Sequence, residues 1–145
     1  MERRIAVRAI IAKDNKLFCV KLRPYNEAIT GEFWCTVGGG VDESESLIPA
    51  LKREVIEETG ITPVIGNLLY VQQFRNNKEH LEFFFHVTNA DDFIDIDLTQ
   101  STHGLQEIAQ FGFIKTDAET VFPEFLKSED FTNLDNQPTK FFSSL

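Results

Sequence analysis

The segment 39–61, GGVDESESLIPALKREVIEETGI, constrains this chain more than any other stretch, because it prescribes a helix with two opposed faces. Glu54, Glu57 and Glu58 are related by three and four residues and therefore share one helical face. Like charges so placed cost roughly a few tenths of a kcal/mol per pair on an exposed helix, so a sequence that keeps three of them calls for a neutralising cation. Oxygen donors without a nearby His or Cys favour a hard ion, Mg²⁺ first, then Mn²⁺ or Ca²⁺. The bland alternative is a solvated acidic face, the usual meaning of a charge run.

Helix signals bracket the segment. Ser44 and Ser46 are N-cap candidates, and Pro49 belongs in the first turn, which predicts a start near Glu45 or Ser46. Gly60 suits the left-handed position just past the end. Leu47, Ala50, Leu51 and Val55 recur at helical spacing on the other side and predict docking on a sheet. Gly38, Gly39 and Gly40 lie between an expected strand and this helix, where backbone amides can approach an anion.

Written as a pattern, the segment is G-x5-E-x7-R-E-U-x-E-E-x-G-U with U apolar, filled by Gly39, Glu45, Arg53, Glu54, Val55, Glu57, Glu58, Gly60 and Ile61. At average residue usage the chance of such a match is far below roughly one in a million. The pattern resembles, without a gap, the Nudix box of the Nudix hydrolases. The resemblance implies an α-β-α sandwich with a mixed sheet, in the α/β or α+β layered class. It also implies attack of water on phosphorus in a nucleoside diphosphate linked to a moiety X, giving a nucleoside monophosphate and phosphorylated X. Divalent ions neutralise the anionic linkage and make water more acidic. Mg²⁺ acidifies water less than Zn²⁺ does, so a carboxylate base is also wanted.

By this resemblance Glu54, Glu57 and Glu58 are metal ligands, with Glu57 or Glu54 doubling as base. Arg53 orients a carboxylate through its bidentate guanidinium, Glu45 at the helix start supports the loop or reaches the metal through water, and Gly38, Gly39 and Gly40 bring amides to the substrate. Many members add a glutamate shortly before a late strand. Glu107 is the first candidate here and Glu82 the second. His80, His86 and His103 are scattered, although His103 lies in a glycine-containing loop near Glu107. Arg23 and Arg75 are candidate phosphate ligands, and Phe33 and Phe74 are candidate base-stacking rings.

Composition narrows the partners. A length of 145 residues with 42% hydrophobic content suits one domain, 1–145, and a net charge of −9 argues against nonspecific nucleic-acid or acidic-membrane binding. The expected partner is a small-molecule nucleotide, with the protein a monomer or a homodimer. No apolar run long enough to span a bilayer and no leader pattern is seen, so a cytoplasmic location is expected. Cys19 and Cys35 lack C-x-x-C spacing and read as buried thiols.

Along the chain, 3–12 and 17–22 predict a hairpin about Asp14-Asn15, and 23–31 a loop. Residues 32–37 predict a strand leading into the glycines. Strands follow at 68–75 and 81–88 about Asn76-Asn77-Lys78. Residues 89–106 are acidic and irregular, with the alternation of Phe93, Ile94, Ile96 and Leu98 offering one further strand. A strand is expected at 109–115, a helix at 117–130 with its firm part from Phe122 to Asp130, and a loosely packed tail at 132–145.

Departures from the family pattern fall in the loops. Trp34-Cys35-Thr36-Val37 keeps the tryptophan of the common Trp-x-Leu-Pro but not its leucine or proline, Ser44 replaces a common glycine, and Pro49 is unusual in the helix. Where some subfamilies carry a signature proline (ADP-ribose type) or tyrosine (dinucleoside-polyphosphate type), this chain has Asn77, Lys78 and Glu79. By elimination the expected substrate is a nucleoside triphosphate or a nucleotide sugar. The competing function is a catalytically weak Nudix-like domain that senses a nucleotide metabolite.

Overall fold

The computed structural model describes residues 2–23 and 32–144, so the loop expected at 23–31 lies, beyond Arg23, outside the described residues. The chain begins with β1 (Arg3–Ile10), β2 (Ala12–Lys13) and β3 (Lys16–Leu22). Asp14 and Asn15 take φ of 54° and 57° between β2 and β3, left-handed values that Asp and Asn tolerate and that a tight hairpin requires. The expected hairpin is therefore real but narrower than its sequence run. β1 joins one sheet and the β2–β3 pair another, with Ile11 as the corner.

The larger sheet has the order β4-β1-β6-β5-β8, with β4 (Gly38–Gly40), β5 (Ile65–Arg75), β6 (Glu79–Val87) and β8 (Lys140–Ser143). β1 runs parallel to β6 and antiparallel to β4, while β5 runs antiparallel to β6 and parallel to β8, so the sheet is mixed. The smaller sheet has the order β2-β3-β7, with β7 at Ile108–Ile114.

Period-two alternation sorts the core onto two faces. Val7, Ala9, Ile11, Phe85 and Val87 pack with Ala50, Leu51 and Val55 of α1 (Leu47–Thr59). Ile10, Tyr70 and Phe84 pack in a second cluster with Leu126, Phe131 and Leu134. Burying each large apolar side chain contributes about 1.5–3 kcal/mol. α1 follows its sequence signals. Ser46 precedes it in an extended conformation without a side-chain cap bond, and Gly60 ends it at φ 77° with its N–H donated to the Ile56 carbonyl at 2.9 Å.

Four expectations are corrected. Residues 32–37 do not form a strand; Trp34 and Cys35 make isolated bridges to Val121 and Val20, and the glycines themselves pair with β1. Only glycine fits at position 38, where a Cβ would stand 2.0 Å from the Val7 carbonyl oxygen. Residues 89–106 form 3-10 turns at Ala90–Phe93 and Leu98–Gln100 and the one-turn α2 (Gly104–Glu107) rather than a strand. The Asp97 side chain accepts from the Thr99 N–H and so favours the turn.

The helix expected at 117–130 is a 3-10 turn at Glu124–Ser128. Pro123 disfavours helical dihedrals at Phe122, and the buried Thr116 hydroxyl donates to the Leu126 carbonyl at 2.7 Å, replacing a helical bond. The expected loose tail instead supplies a 3-10 turn at Leu134–Asn136 and the edge strand β8, because its partners Tyr70 to Gln73 are remote in sequence and leave no local signal. The layered α-β-α order thus holds, with 3-10 turns in place of a second long helix. No helix among the described residues is long and apolar enough to cross a membrane.

Candidate active site

Arg53 organises the acidic face of α1. Its Nε and Nη2 donate to the two carboxylate oxygens of Glu45 at 2.7 and 2.8 Å, a bidentate pair. Nη1 donates to Glu54 at 3.0 Å and to Glu57 at 3.2 Å, and Nη2 also reaches the Gly40 carbonyl at 3.2 Å. One guanidinium therefore holds three carboxylates and the end of β4. Its hydrogen bonds hold the Glu45 carboxyl down to about 2, and the same contacts raise the pKa of Arg53.

The glycines serve the carboxylates. A Cβ at Gly39 would stand 2.6 Å from the Glu54 carboxyl carbon, so that glycine opens the space the carboxylate occupies. The Gly38 backbone bonds to Glu58, which is only 7% exposed. Burial pushes the Glu58 carboxyl up to about 8 against the attraction of Arg8, and the charges of Glu54 and Glu107 push the same way. Glu54 is also raised, first by burial, with Arg53 opposing and with Glu57 and Glu107 adding to the rise.

A second segment closes the site. His103 donates its backbone N–H to the Glu57 carbonyl at 2.8 Å, and the Thr102 hydroxyl reaches the same oxygen at 3.4 Å, capping the last turn of α1. Gly104 makes this approach possible, since a Cβ there would stand 2.4 Å from the Glu58 carbonyl oxygen. The docking brings His103 Nδ1 to 3.5 Å from the Glu57 carboxylate and sets Glu107 where its charge acts on Glu54 and Glu58.

Glu45, Arg53, Glu54, Glu57, Glu58, Glu107 and the three glycines are thus gathered into one place. Arg23 stands at its margin, with its backbone N–H on the Glu107 carbonyl at 2.7 Å and Nε on the Leu105 carbonyl at 2.9 Å. Arg75 is not brought there. It is exposed at the β5–β6 turn, opposite Glu79, and makes no ion pair with the α1 carboxylates among the described residues. Glu82 likewise stands apart from the α1 carboxylates, buried beside Arg8 at 3.5 Å.

Phe33 and Phe74 line a cavity of about 650 Å³, together with Arg8, Thr36, Gln72, Glu82, Phe122 and Phe125. Phe33 meets Phe122 edge to face at 5.0 Å, and Phe74 stacks on His80 at 4.5 Å. Arg8 joins the two regions, for it lines the cavity and its charge acts on Glu58. Arg8, Thr36, Gln72 and Phe125 join the cavity without being among the residues expected from the sequence. The available signal was a charge on a core-facing position of an apolar strand, Arg8 within RRIAVRAI and Glu82 within EHLEFFFHV.

The donor set suits a hard divalent cation in kind, since four carboxylates crowd together and the most buried is driven towards its neutral form. Among the described residues no three His, Cys, Asp or Glu side chains stand in ready-made cage geometry, and Glu54 and Glu57 each lend an oxygen to Arg53.

The family model for the NUDIX domain matches residues 2–132. An ADP-ribose pyrophosphatase of Methanocaldococcus jannaschii is 40% identical over 67 residues, a match covering 46% of this chain and only 38% of that protein's length. Among solved structures, the MutT protein of Methanosarcina mazei Go1 superposes with a TM-score of 0.68 at 24% identity, covering 86% of this chain and 88% of that one. A UDP-X diphosphatase superposes at 0.67 and 20% identity, covering 98% of this chain and 68% of that one. At these identities the two structures speak to the fold. With the family model spanning nearly the whole chain and the box residues folded around Arg53, the chain belongs to the Nudix family.

Proposed function

We propose that this chain is a metal-dependent pyrophosphohydrolase that cleaves the diphosphate linkage of a nucleoside diphosphate joined to X, a nucleoside triphosphate or a nucleotide sugar. The observation that carries this reading is the crowding of Glu54, Glu57, Glu58 and Glu107 beside an aromatic cavity, with Arg8 between them. The names of two similar proteins, an ADP-ribose pyrophosphatase and a UDP-X diphosphatase, support a diphosphate linkage.

Glu54, Glu57 and Glu58 would hold Mg²⁺, or Mn²⁺ in its place, which supplies positive charge to the diphosphate and makes water more acidic. Arg53 keeps Glu54 and Glu57 in register. Glu57 or Glu54 accepts the proton of the attacking water, with Glu107 completing the acidic set. As the water oxygen bonds to phosphorus the bridging P–O bond breaks, and the products are a nucleoside monophosphate and phosphorylated X. Arg23, exposed at the margin, meets the outer phosphate, and the cavity takes the nucleoside. Arg75 and the glycine amides are the weaker substrate contacts of this reading, Arg75 by its distance in the fold and the glycines because they already serve Glu54, Glu58 and Arg53.

One observation favours the sensor alternative. Arg53 already occupies oxygens of Glu54 and Glu57, an arrangement that suits binding without turnover. The deciding experiment measures product release from nucleoside triphosphates, nucleotide sugars, ADP-ribose and dinucleoside polyphosphates with Mg²⁺ or Mn²⁺, beside Glu57→Gln. Metal-dependent turnover of one class, lost in the variant, is the expected result. Metal-dependent binding with no turnover across the panel would shift the reading to the sensor.

A further inference from the structure

A row of residues crosses three neighbouring strands at the aromatic cavity. Glu82 of β6 pairs with Gln72 of β5, and Gln72 pairs with Phe142 of β8. All three line the cavity, as do Ser143 and Ser144, which follow Phe142. β8 therefore extends the lining by one strand and turns it from polar to apolar. It also lies beyond residue 132, where the match to the NUDIX family model ends.

The strand is tied down at both ends. Just before it the Thr139 hydroxyl donates to the Leu68 carbonyl at 2.7 Å, and Lys140 Nζ meets the Glu129 carboxylate at 2.9 Å. Just after it the Ser144 N–H donates to the Gln73 carbonyl at 3.0 Å. Between these ties Phe142 is the one residue of β8 that is not exposed. Its ring stacks on Phe125 at 4.1 Å and meets Tyr70 edge to face at 6.1 Å, which fixes its orientation at the cavity wall. Phe141 lies on the other face of the sheet by strand alternation and is 61% exposed. Ordering a strand costs backbone entropy, and one that half-buries a single side chain regains little of it from the core. A further return is available at the cavity, where the open part of Phe142 leaves water when a ligand fills the space.

We propose that Phe142 contacts the nucleoside and that β8 is a specificity-determining wall of the substrate site. A ligand that touches β8 only when the strand is docked must also stabilise the docking, so nucleotide binding and the order of β8 are linked. The inference rests on the reading that the cavity takes the nucleoside, and it deepens that reading by assigning one wall to the segment after residue 139.

The test is isothermal titration of AMP, GMP, CMP and UMP into the full chain with EDTA present, so that neither metal nor turnover enters. Amide hydrogen exchange over residues 138–144 is then followed with and without the monophosphate that binds most tightly. In the wild type that monophosphate is expected to slow exchange in β8 and at the Ser144 amide. Phe142→Ala is expected to weaken it about tenfold, in the range of an aromatic contact with a base. Phe141→Ala, on the same strand but the opposite face, is expected to leave it unchanged. With the substrate that the hydrolysis panel identifies, Phe142→Ala should raise KM and leave kcat at saturation unchanged, a split that mere loss of folded protein does not produce. No binding of any monophosphate, unaltered exchange in β8, wild-type affinity in Phe142→Ala, or equal weakening by Phe141→Ala would each overturn the proposal. The exchange measurement uses only the wild type, so it stands even if Phe142→Ala fails to fold. Turnover with KM unchanged in Phe142→Ala sinks only the assignment of β8, and binding that protects β8 without turnover sinks only the hydrolase.

Discussion

The two faces of the five-stranded sheet solve different problems with different kinds of residue. On the α1 face, the acidic site draws on one helix, the three glycines of β4 and a short segment that caps the helix end. Its side chains lie close in sequence, and Arg53 ties them together within bonds of 2.7 to 3.2 Å. On the opposite face, Tyr70, Phe84, Phe125 and Phe142 form an aromatic layer whose members come from four separate segments, with Phe125 and Phe142 stacked at 4.1 Å. Chemistry with fixed spacing can be written into one helix, whereas a cavity large enough for a nucleoside needs walls from several elements. If the comparison is right, damage to the acidic face removes activity and spares stability, and truncation of the core beneath the aromatic layer removes stability and spares the chemistry of the folded fraction.

The largest expected effect is on the acidic face. Glu57→Gln should lower kcat about 10²–10⁴-fold while the thermal midpoint stays near that of the wild type, as steady-state kinetics and calorimetry would read. The counterpart is Leu126→Ala, fully buried under the aromatic layer, which should cost about 2–5 kcal/mol in denaturant unfolding with kcat of the folded fraction unchanged. If Leu126→Ala abolished turnover in protein still folded, the two faces would not be separable.

A sharper probe is Gly39→Ala. The added methyl would meet the Glu54 carboxyl at 2.6 Å, and because that is the free end of a side chain it can swing aside at little cost in stability. Displacing one carboxylate by about 1 Å should cost up to about 10²-fold in kcat. A stability loss as large as that of Leu126→Ala would show instead that β4 holds the fold together.

A further effect concerns pH. The Glu58 carboxyl, ordinarily near 4.5, is pushed up to about 8 by burial, so the native state holds its proton more tightly than the unfolded chain does. Its contribution to stability is fully present below about pH 4.5 and is lost as pH rises through about 8. The metal-free protein should therefore lose stability relative to Glu58→Gln between pH 5 and pH 8, and added Mg²⁺ should restore the wild type at pH 8. Parallel melting curves for the two proteins across that range would remove the case for a charge-strained site.

How much was legible follows from where each signal is stored. α1, its Gly60 terminus and the shared face of Glu54, Glu57 and Glu58 are local patterns, and the helix runs from Leu47 to Thr59 as its capping residues require. Glu107 is marked in the sequence only by its place before a late strand. Its approach depends on Gly104 seating the 101–107 segment against the last turn of α1, a contact no window of sequence contains. The helix expected at 117–130 is absent because Pro123 disfavours helical dihedrals at the residue before it, and β8 leaves no local signal because its partner strand lies about seventy residues upstream.

The sequence by itself determined that Glu54, Glu57 and Glu58 share one face of α1, since helical periodicity converts spacing of three and four directly into a common face. It also determined the glycine positions, where a close approach excludes a side chain. Only the tertiary structure decided that Arg53 grips three carboxylates at once, that Glu82 leaves the acidic set and joins Arg8 on the cavity floor, and that Phe33, Phe74, Phe122 and Phe125 share one cavity. The reason is physical. Strand register and sheet order bring together residues far apart in the chain, and that information resides in the packing of the whole core.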